Sequence, residues 1–381
     1  MADEERSSKK RHGLIRILIS LAFLGILTFI SFTLISGRGF NFDRLTGFIF
    51  PAEQREAADE LFFNIGRSRV FADLNGAIAA AGSLGVQVLD YAGSETLRES
   101  VPMNSPTIRF QNERAIAFDI GGTEARVFNR NEIIASITKN GSIVSASINH
   151  DGWFTVDLQP GGGYKGNTYV YNNDGRGVYR VFMSTGYILS SVLSYDSNSL
   201  AILNLTDYGS RVTFYHGFDK EEDDGHFELP GVLIIEIMFL ESGDLLAVTT
   251  ESLMLIDPHS LSGWEVYSFS GLRIGGYAVS NDYIALNLLD FGIGHRGKLI
   301  VIDLFGNLFG EVITTRELIS MSFVSGYLTV MLSDGLIRLD RSLTPLPSYQ
   351  NSPSAAGVSK ILALDDGATL VAGDRFAIIV R

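Results

Sequence analysis

From Arg69 to the C-terminus, the chain is a succession of short β-type runs separated by turn residues. The unit at Val232–Phe269 shows the pattern most clearly. It has a first strand, a Ser-Gly-Asp turn, the very apolar strand LLAVT, a third strand SLMLID and a fourth, WEVYSF. The same order begins again about every 39 residues, which is within the range of four-stranded propeller blades. Such a period indicates a ring of small sheets that bury one another's faces.

Eight units of this kind can be aligned, at about 68–100, 106–138, 141–184, 186–229, 232–269, 274–314, 317–350 and 358–380. In each unit the second run is the most uniformly apolar, as a strand covered on both faces should be. Abundant glycine (40 residues), sparse proline (9) and 19% charged residues are typical of a folded, strand-rich domain. The sequence therefore predicts an all-β, eight-bladed propeller over residues 60–381, with seven blades as the fallback count.

The last unit has three strands instead of four, and a spare apolar segment, Leu61–Ile65, lies just before the first unit. A ring leaves no exposed edge when its first and last segments share a sheet. We therefore predict that Leu61–Ile65 supplies the missing outer strand of the last blade.

The N-terminal region predicts a membrane anchor. Ile17–Ile35 is nineteen residues without a charge and follows a basic segment, and about 20 apolar residues are needed to cross a bilayer as a helix. The predicted organisation is a cytoplasmic tail (1–13), a transmembrane helix (14–36), a juxtamembrane linker with a short helix (37–59) and the propeller (60–381). The short helix follows Pro51, in the run AEQREAADELFF.

The flanking charges predict the orientation of this anchor. Residues 1–16 contain five Lys or Arg and three acids, whereas few basic residues follow the apolar run. The positive-inside rule then places the N-terminus in the cytoplasm and the C-terminal domain outside, in a single-pass protein of the cell membrane held by a signal-anchor. A cleaved signal peptide is the alternative, but its apolar region usually runs 7–15 residues and no clear cleavage site follows here.

Charge and cysteine content exclude several classes of function. The formal net charge is -13, and the acids lie in the body of the chain. Such a domain repels phosphate backbones, so no nucleic-acid partner is expected. The chain has no cysteine, which excludes disulfides, thiolate metal sites and cysteine nucleophiles.

The repeats carry Asp-Gly hairpin turns at Asp151–Gly152, Asn173–Gly175, Ser333–Gly335 and Asp365–Gly367. With these turns and the anchor, the chain resembles the membrane-anchored, extracytoplasmic β-propeller proteins of bacteria. It is similar to the quinoprotein-like and YVTN-like propellers, many of whose families are uncharacterised. Quinone-binding members carry a docking tryptophan in most blades, whereas this chain has two tryptophans in all. The resemblance therefore implies no cofactor, and it assigns no catalytic or binding residue.

Three local features are candidate sites. The acidic run Asp219–His226 could be a calcium-binding loop, but it lacks EF-hand spacing and is predicted to be a solvated loop between two strands. Gly161–Gly166 is glycine-rich, but the spacing and the following helix that a phosphate loop requires are missing. Histidines 12, 150, 216, 226, 259 and 295 are scattered, and although several could meet on one face of a ring, no metal site is predicted.

The predicted function is a non-enzymatic binding or scaffolding module for a protein, peptide or glycan partner near the membrane. The partner would contact loops on one ring face, since propeller function resides in loops. The longest predicted loops are Leu158–Thr168, Phe218–Leu229 and Leu289–Lys298. The alternative is a hydrolase or lyase whose carboxylates and histidines converge at the central channel.

Overall fold

The computed structural model describes residues 60–280, 282–292, 294, 296–324, 326–347, 354–364 and 366–381, which belong to one compact unit of the chain. These residues form eight antiparallel sheets, each built from strands that are consecutive in sequence. The first strands of neighbouring blades contact one another, and β28 of the eighth blade contacts β1 of the first, which closes the ring. The predicted all-β, eight-bladed propeller is confirmed.

The strands of the first four blades follow the predicted units closely. Blades 1 and 2 contain β1 (Val70–Asp73), β2 (Ala77–Gly82), β3 (Gly85–Asp90), β4 (Glu95–Ser100), β5 (Pro106–Gln111), β6 (Arg114–Asp119), β7 (Glu124–Asn129) and β8 (Ile133–Thr138). Blades 3 and 4 contain β9 (Ile143–Ile148), β10 (Phe154–Leu158), β11 (Gly166–Tyr171), β12 (Gly177–Met183), β13 (Tyr187–Leu193), β14 (Ser199–Thr206), β15 (Gly209–His216) and β16 (Gly225–Pro230).

Among the described residues, blades 5 and 6 have four strands each, and blades 7 and 8 have three. Blades 5 and 6 contain β17 (Ile234–Phe239), β18 (Leu245–Thr249), β19 (Ser252–Asp257), β20 (Ser262–Ser268), β21 (Arg273–Val279), β22 (Tyr283–Leu289), β23 (Gly297–Asp303) and β24 (Leu308–Thr314). Blade 7 contains β25 (Leu318–Val324), β26 (Tyr327–Leu332) and β27 (Gly335–Asp340), and blade 8 contains β28 (Val358–Ala363), β29 (Thr369–Gly373) and β30 (Ala377–Val380).

The hydrophobic core is divided among the gaps between blades. Every residue of the second strands β2, β10, β18 and β29 is buried, as the sequence predicted, whereas the outer strands β4 and β16 contain no buried residue. One cluster joins Val88 of blade 1 to Ile108 and Phe128 of blade 2. Another joins Leu246 of blade 5 to Leu286 of blade 6. Since each fully buried aliphatic or aromatic side chain contributes about 1.5–3 kcal/mol, neighbouring blades stabilise one another.

Ring closure occurs where the sequence predicted it, but with less pairing. Glu60 forms an antiparallel bridge with Ile378 of β30, and the Leu61 backbone N–H donates to the Ala377 carbonyl at 2.7 Å. The chain then crosses to blade 1, where the Ile65 carbonyl accepts from the Leu84 N–H at 2.9 Å. Residues 61–65 are extended, with three alternate side chains buried in a cluster that includes residues of blades 1 and 8. The segment therefore joins the two blades instead of forming a full outer strand.

Three further predictions involve residues outside the described part of the chain. The seventh unit was expected to end in a fourth strand near residues 346–350; Pro345 forms a single bridge to Leu339, and residues 348–353 are not described, so this strand stays a prediction. The predicted juxtamembrane linker with its short helix, residues 37–59, also lies outside the described residues. The predicted transmembrane helix at 14–36, with the rest of 1–59, lies outside the described residues. No helix within the described ranges is long and apolar enough to cross a membrane.

Candidate functional site

The connections between strands divide the propeller into two faces. We name the strands of each blade A to D from the channel outwards. Because consecutive strands are antiparallel, the A–B and C–D loops lie on one face, called here the A–B face. The B–C loops and the connections between blades lie on the other, the B–C face. Two predicted loops, Leu158–Thr168 and Leu289–Lys298, contain B–C loops, whereas Phe218–Leu229 contains the C–D loop of blade 4. The three loops therefore do not share a face.

Among the described loops and connections, large apolar side chains are exposed mainly on the B–C face; others are exposed on strands, such as Leu308 and Ile313 of β24. Tyr208 and Phe291, in the B–C loops of blades 4 and 6, are 81% and 71% exposed. The loops and connections of this face expose seven such residues: Phe62, Leu84, Ile120, Tyr164, Tyr208, Leu233 and Phe291. Among the described loops of the A–B face, Phe305 alone is comparably exposed.

Charge is distributed in the opposite way. The described A–B and C–D loops contain these acids: Glu113, Glu132, Asp151, Asp174, Asp196, Asp219, Glu221, Glu222, Asp223, Asp224, Glu241, Asp244, Asp282 and Asp366. The basic residues of the same loops are Arg130, Arg176, Lys220 and Arg341. On the B–C face, acidic and basic residues are nearly balanced. The A–B face therefore carries most of the negative charge, and the B–C face is apolar and close to neutral.

A groove of about 630 Å³ lies on the B–C face at blade 3. Residues 138–142, which connect blades 2 and 3, form one wall, and residues 158–161 of the B–C loop form another. The Lys139 ammonium lies 3.5 Å from the centre of the Tyr169 ring. Burial, and then the charge of Arg180, lower the pKa of Lys139. The Oδ1 of Asn167, a residue that also lines the groove, is buried and has no hydrogen-bond partner among the described residues. The groove thus offers a cation and an aromatic ring to a polar ligand.

The acidic run has the position that the sequence predicted, between the third and fourth strands of blade 4. Lys220 forms an ion pair with Asp224, whose other oxygen accepts from the His216 N–H at 2.6 Å. Burial raises the pKa of Asp224, but these hydrogen bonds outweigh it and leave the pKa below its ordinary value. A cavity of about 440 Å³ beside the end of β12 is lined by Glu221, Glu222 and Asp223, with His226 and Arg211.

The histidines do not form a metal centre in the described part of the chain. His216 of blade 4 and His259 of blade 5 stack with ring centres 4.6 Å apart, so two predicted residues from separate blades do meet. However, His216 Nδ1 lies 2.8 Å from the Ser199 hydroxyl and its Nε2 lies 3.3 Å from the Pro258 carbonyl. His150 stacks on Tyr195 instead. No group of three His, Asp or Glu side chains suited to a metal ion occurs among the described residues.

The central channel contains a charged cluster that the sequence analysis did not identify. Arg109 of β5, Glu236 of β17 and Lys360 of β28 extend from the innermost strands of blades 2, 5 and 8. Arg109 Nη2 lies 3.4 Å from Glu236 Oε1 across the ring. Burial between the channel walls lowers the pKa of Lys360, the Arg109 charge lowers it further, and the Glu236 carboxylate raises it. The sequence does contain a signal for this cluster: Arg109, Glu236 and Lys360 are each a charged residue inside a first strand of mostly apolar or small residues.

Comparison with solved structures supports the fold alone. No curated protein matches the sequence. Among solved structures, the C-terminal WD40 domain of Sif2 is 14% identical with a TM-score of 0.59, over 84% of this chain and 99% of that one. Sqt1 of Saccharomyces cerevisiae is 10% identical with a TM-score of 0.57, over 85% and 98%.

BamB from Moraxella catarrhalis is 12% identical, with a TM-score of 0.51, over 84% of this chain and 99% of that one. A family model described as a family of unknown function, DUF5711, matches residues 63–337.

Proposed function

Because this chain belongs to DUF5711, a family of unknown function, its task has to be inferred from its surface. We propose that it is a membrane-anchored, extracytoplasmic propeller that binds a protein partner through its B–C face. The observation that carries this proposal is that the exposed large apolar side chains of the described loops lie on that face, with the exception of Phe305. Monomeric proteins rarely expose large contiguous apolar patches, and those that do generally use them for binding.

The composition of the B–C face favours a protein over a peptide or glycan. The cores of protein interfaces are enriched in aromatic residues and depleted of charge, and Tyr164, Tyr208 and Phe291 come from three different blades. A ligand that contacts all three has to extend across several blades, as a folded partner does. The groove at blade 3 is polar and smaller than the B–C face as a whole. A glycan or short peptide would therefore occupy that groove instead.

The membrane anchor rests on the sequence. The uncharged run Ile17–Ile35 has the length of a membrane-spanning helix, and the basic residues before it favour a cytoplasmic N-terminus. In this arrangement the propeller is outside the cell membrane.

This anchor can be tested by fractionation. The full-length chain should remain in the membrane fraction after a carbonate wash, and externally added protease should digest the propeller in spheroplasts. Release by carbonate, or protection of the propeller while a cytoplasmic tag is cleaved, would exclude the proposed topology.

The hydrolase or lyase alternative has less support. The charged cluster of the channel contains one carboxylate and no histidine, whereas acid–base hydrolysis generally uses a positioned pair of such groups. The fold is that of WD40 and other propellers. We therefore propose a non-enzymatic binding role.

The binding face can be tested with matched surface variants. A photo-reactive amino acid at Tyr208 and another at Phe305 place the same probe on opposite faces, at positions that are 81% and 87% exposed. We expect a discrete crosslinked protein from position 208 in intact membranes and none from 305. The double variant Tyr208→Ser/Phe291→Ser should reduce recovery of that partner at least about tenfold, since aromatic anchors dominate interface energies. The control Phe305→Ser should leave recovery unchanged. Equal loss in both variants, or crosslinking only from 305, would contradict the proposal.

A further inference from the structure

We propose that the central channel is a binding site for a small oxyanion, held between Arg109 of blade 2 and Lys360 of blade 8. The inference is independent of the protein-binding face. It rests on three charged side chains that blades 2, 5 and 8 direct into the channel.

The position of these side chains follows from strand register. In β17 and β28 a β-bulge precedes Glu236 and Lys360, which pair with Val248 and Ala372 of the second strands. The same shift occurs in the first strands β13, β21 and β25, so it is a shared feature of blades 4 to 8. Arg109 lies on β5, which pairs with its second strand without a register shift. Blades 2, 5 and 8 are nearly evenly spaced around the ring, so the three side chains approach the channel from three directions.

The net charge of this channel cluster is positive. The cluster contains two cations and one carboxylate, and Glu236 is already paired with Arg109 at 3.4 Å. Lys360, by contrast, has no hydrogen bond or ion pair with any residue in the described part of the chain. Its side chain is accessible to solvent along the channel, yet the surrounding walls desolvate its ammonium group. A desolvated cation without a hydrogen-bonded counter-ion binds an anion more strongly than a surface lysine does.

The wall next to Lys360 is polar. The Ser320 hydroxyl of blade 7 accepts a hydrogen bond from the Ile361 N–H at 3.1 Å, and the Ser322 hydroxyl accepts from the Ala363 N–H at 3.0 Å. Each hydroxyl retains its own hydrogen, which it can donate. An oxyanion in the channel would therefore meet hydroxyl donors as well as two cations.

The charge of the whole molecule limits the size of the ligand. The A–B face is strongly acidic and repels large polyanions, whereas the B–C face is nearly neutral. A small carboxylate or phosphate can therefore reach the channel from the B–C face. Guanidinium and ammonium groups bind both through charge-assisted hydrogen bonds, so the two ligand types have to be separated by experiment.

Binding should depend on pH in a defined direction. The anion favours the protonated form of Lys360, and this lysine has a lowered pKa. Affinity should therefore fall as pH rises through that pKa, and bound anion should raise the pKa of Lys360.

The experiment is calorimetric titration of the full-length chain with inorganic phosphate in one arm and citrate in the other, at low chloride. Lys360→Met and Arg109→Gln should each weaken binding at least about tenfold, the loss of one charge-assisted contact. Glu236→Gln should strengthen it severalfold, because it removes the competing carboxylate and releases Arg109. The matched control Lys298→Met removes a lysine that pairs with Glu311 on the outer part of blade 6, and it should leave binding unchanged.

Saturable binding of either probe that follows this order of variants supports the site, and the tighter probe identifies the ligand class. Equal losses in Lys360→Met and Lys298→Met would show non-specific charge binding and overturn the proposal. Unchanged binding in Lys360→Met, or no heat in either arm while the variants keep the wild-type melting temperature, would overturn it as well. A variant that melts early is replaced by Lys360→Gln, to which the same criteria apply.

Discussion

Asp157 is a carboxyl group enclosed between blades 3 and 4. It lies on β10, and its Oδ1 accepts hydrogen bonds from the hydroxyls of Thr168 and Ser191, each at 2.7 Å. Its other oxygen is buried and has no hydrogen-bond partner among the described residues. Burial raises the pKa of Asp157 to about 6, and the two hydroxyl bonds offset only part of this rise. The folded state therefore favours the protonated form.

Replacing this residue with asparagine should stabilise the protein at alkaline pH. A folded pKa above the unfolded one means that folding is favoured at low pH, and that this stabilisation is lost as pH rises from about 4 to about 6. At pH 8 the ionised carboxylate then costs on the order of 3 kcal/mol. At pH 8, Asp157→Asn should remove most of this cost. At pH 5 the stabilisation by the variant should be roughly half as large. Urea denaturation at both pH values measures the free energy of unfolding.

The control for this prediction is Asp174→Asn, at an exposed position in the C–D loop of the same blade. It should change the free energy of unfolding little at either pH. If the effect of Asp157→Asn were the same at pH 5 and pH 8, the raised pKa would be wrong, and the gain would have to come from packing alone.

The residues of the channel show what single-residue reasoning from sequence could not provide. Alternation along a strand indicates which residues share a face, but it does not indicate which strands meet across a ring. Arg109 and Glu236 are 127 positions apart (236 minus 109) and pair only because the ring places blades 2 and 5 around one channel. The pairing depends on the closed fold, so a local pattern could not reveal it.

At the level of elements, most of the fold could be predicted from sequence. The second strands are recognisable because burial on both faces requires continuous apolar runs, as in LLAVT at β18. Pairing between Leu61–Ile65 and β30 was predicted over the whole segment but is confined to Glu60 and Leu61. The reason is that the segment also has to reach blade 1, where Asn64 and Ile65 form hydrogen bonds. One short segment cannot form a full strand in blade 8 and also bridge to blade 1.

The segment Leu61–Ile65, which closes the ring, contains two adjacent phenylalanines whose contributions to stability can be compared. Phe63 is buried and packs edge-to-face on Phe71, with ring centres 5.6 Å apart, whereas Phe62 is 76% exposed. Phe63→Ala should destabilise the protein by about 3–5 kcal/mol, as for other buried phenylalanines. Phe62→Ala should stay within about 0.5 kcal/mol of wild type. Guanidinium denaturation measures both.

Hydrogen exchange identifies the strands that Phe63→Ala destabilises. In Phe63→Ala, amides of β1 and of β28–β30 should lose protection first, because the segment packs on blades 1 and 8. Equal destabilisation by the two substitutions, or early loss of protection confined to blades 4 and 5, would contradict the assigned closure.

At the scale of the whole molecule, the two faces differ in charge, although the sequence analysis treated the loops as one set. The acidic run illustrates the point: its place between two strands was predicted, but its face depends on whether it joins strands three and four or two and three. Because β15 and β16 are the third and fourth strands of blade 4, the run begins and ends on the A–B face, and three of its acids also line the cavity beside β12. On the A–B face the run adds to acids from several other blades.

Mutual repulsion on this acidic face should be measurable as a salt-dependent loss of stability. The triple variant Glu221→Gln/Glu222→Gln/Asp223→Asn removes three exposed charges and keeps the Lys220–Asp224 ion pair. At about 0.01 M salt, where charges interact over roughly 30 Å, the melting temperature should rise, on the order of 1 °C. In 1 M salt the screening length is about 3 Å, and the rise should disappear.

The control Asp207→Asn/Glu251→Gln/Asp374→Asn makes the same change in net charge on the B–C face, where basic residues balance the acids. It should give a smaller rise at low salt. An equal rise in the two variants would show that net charge alone, and not its concentration on one face, determines the effect.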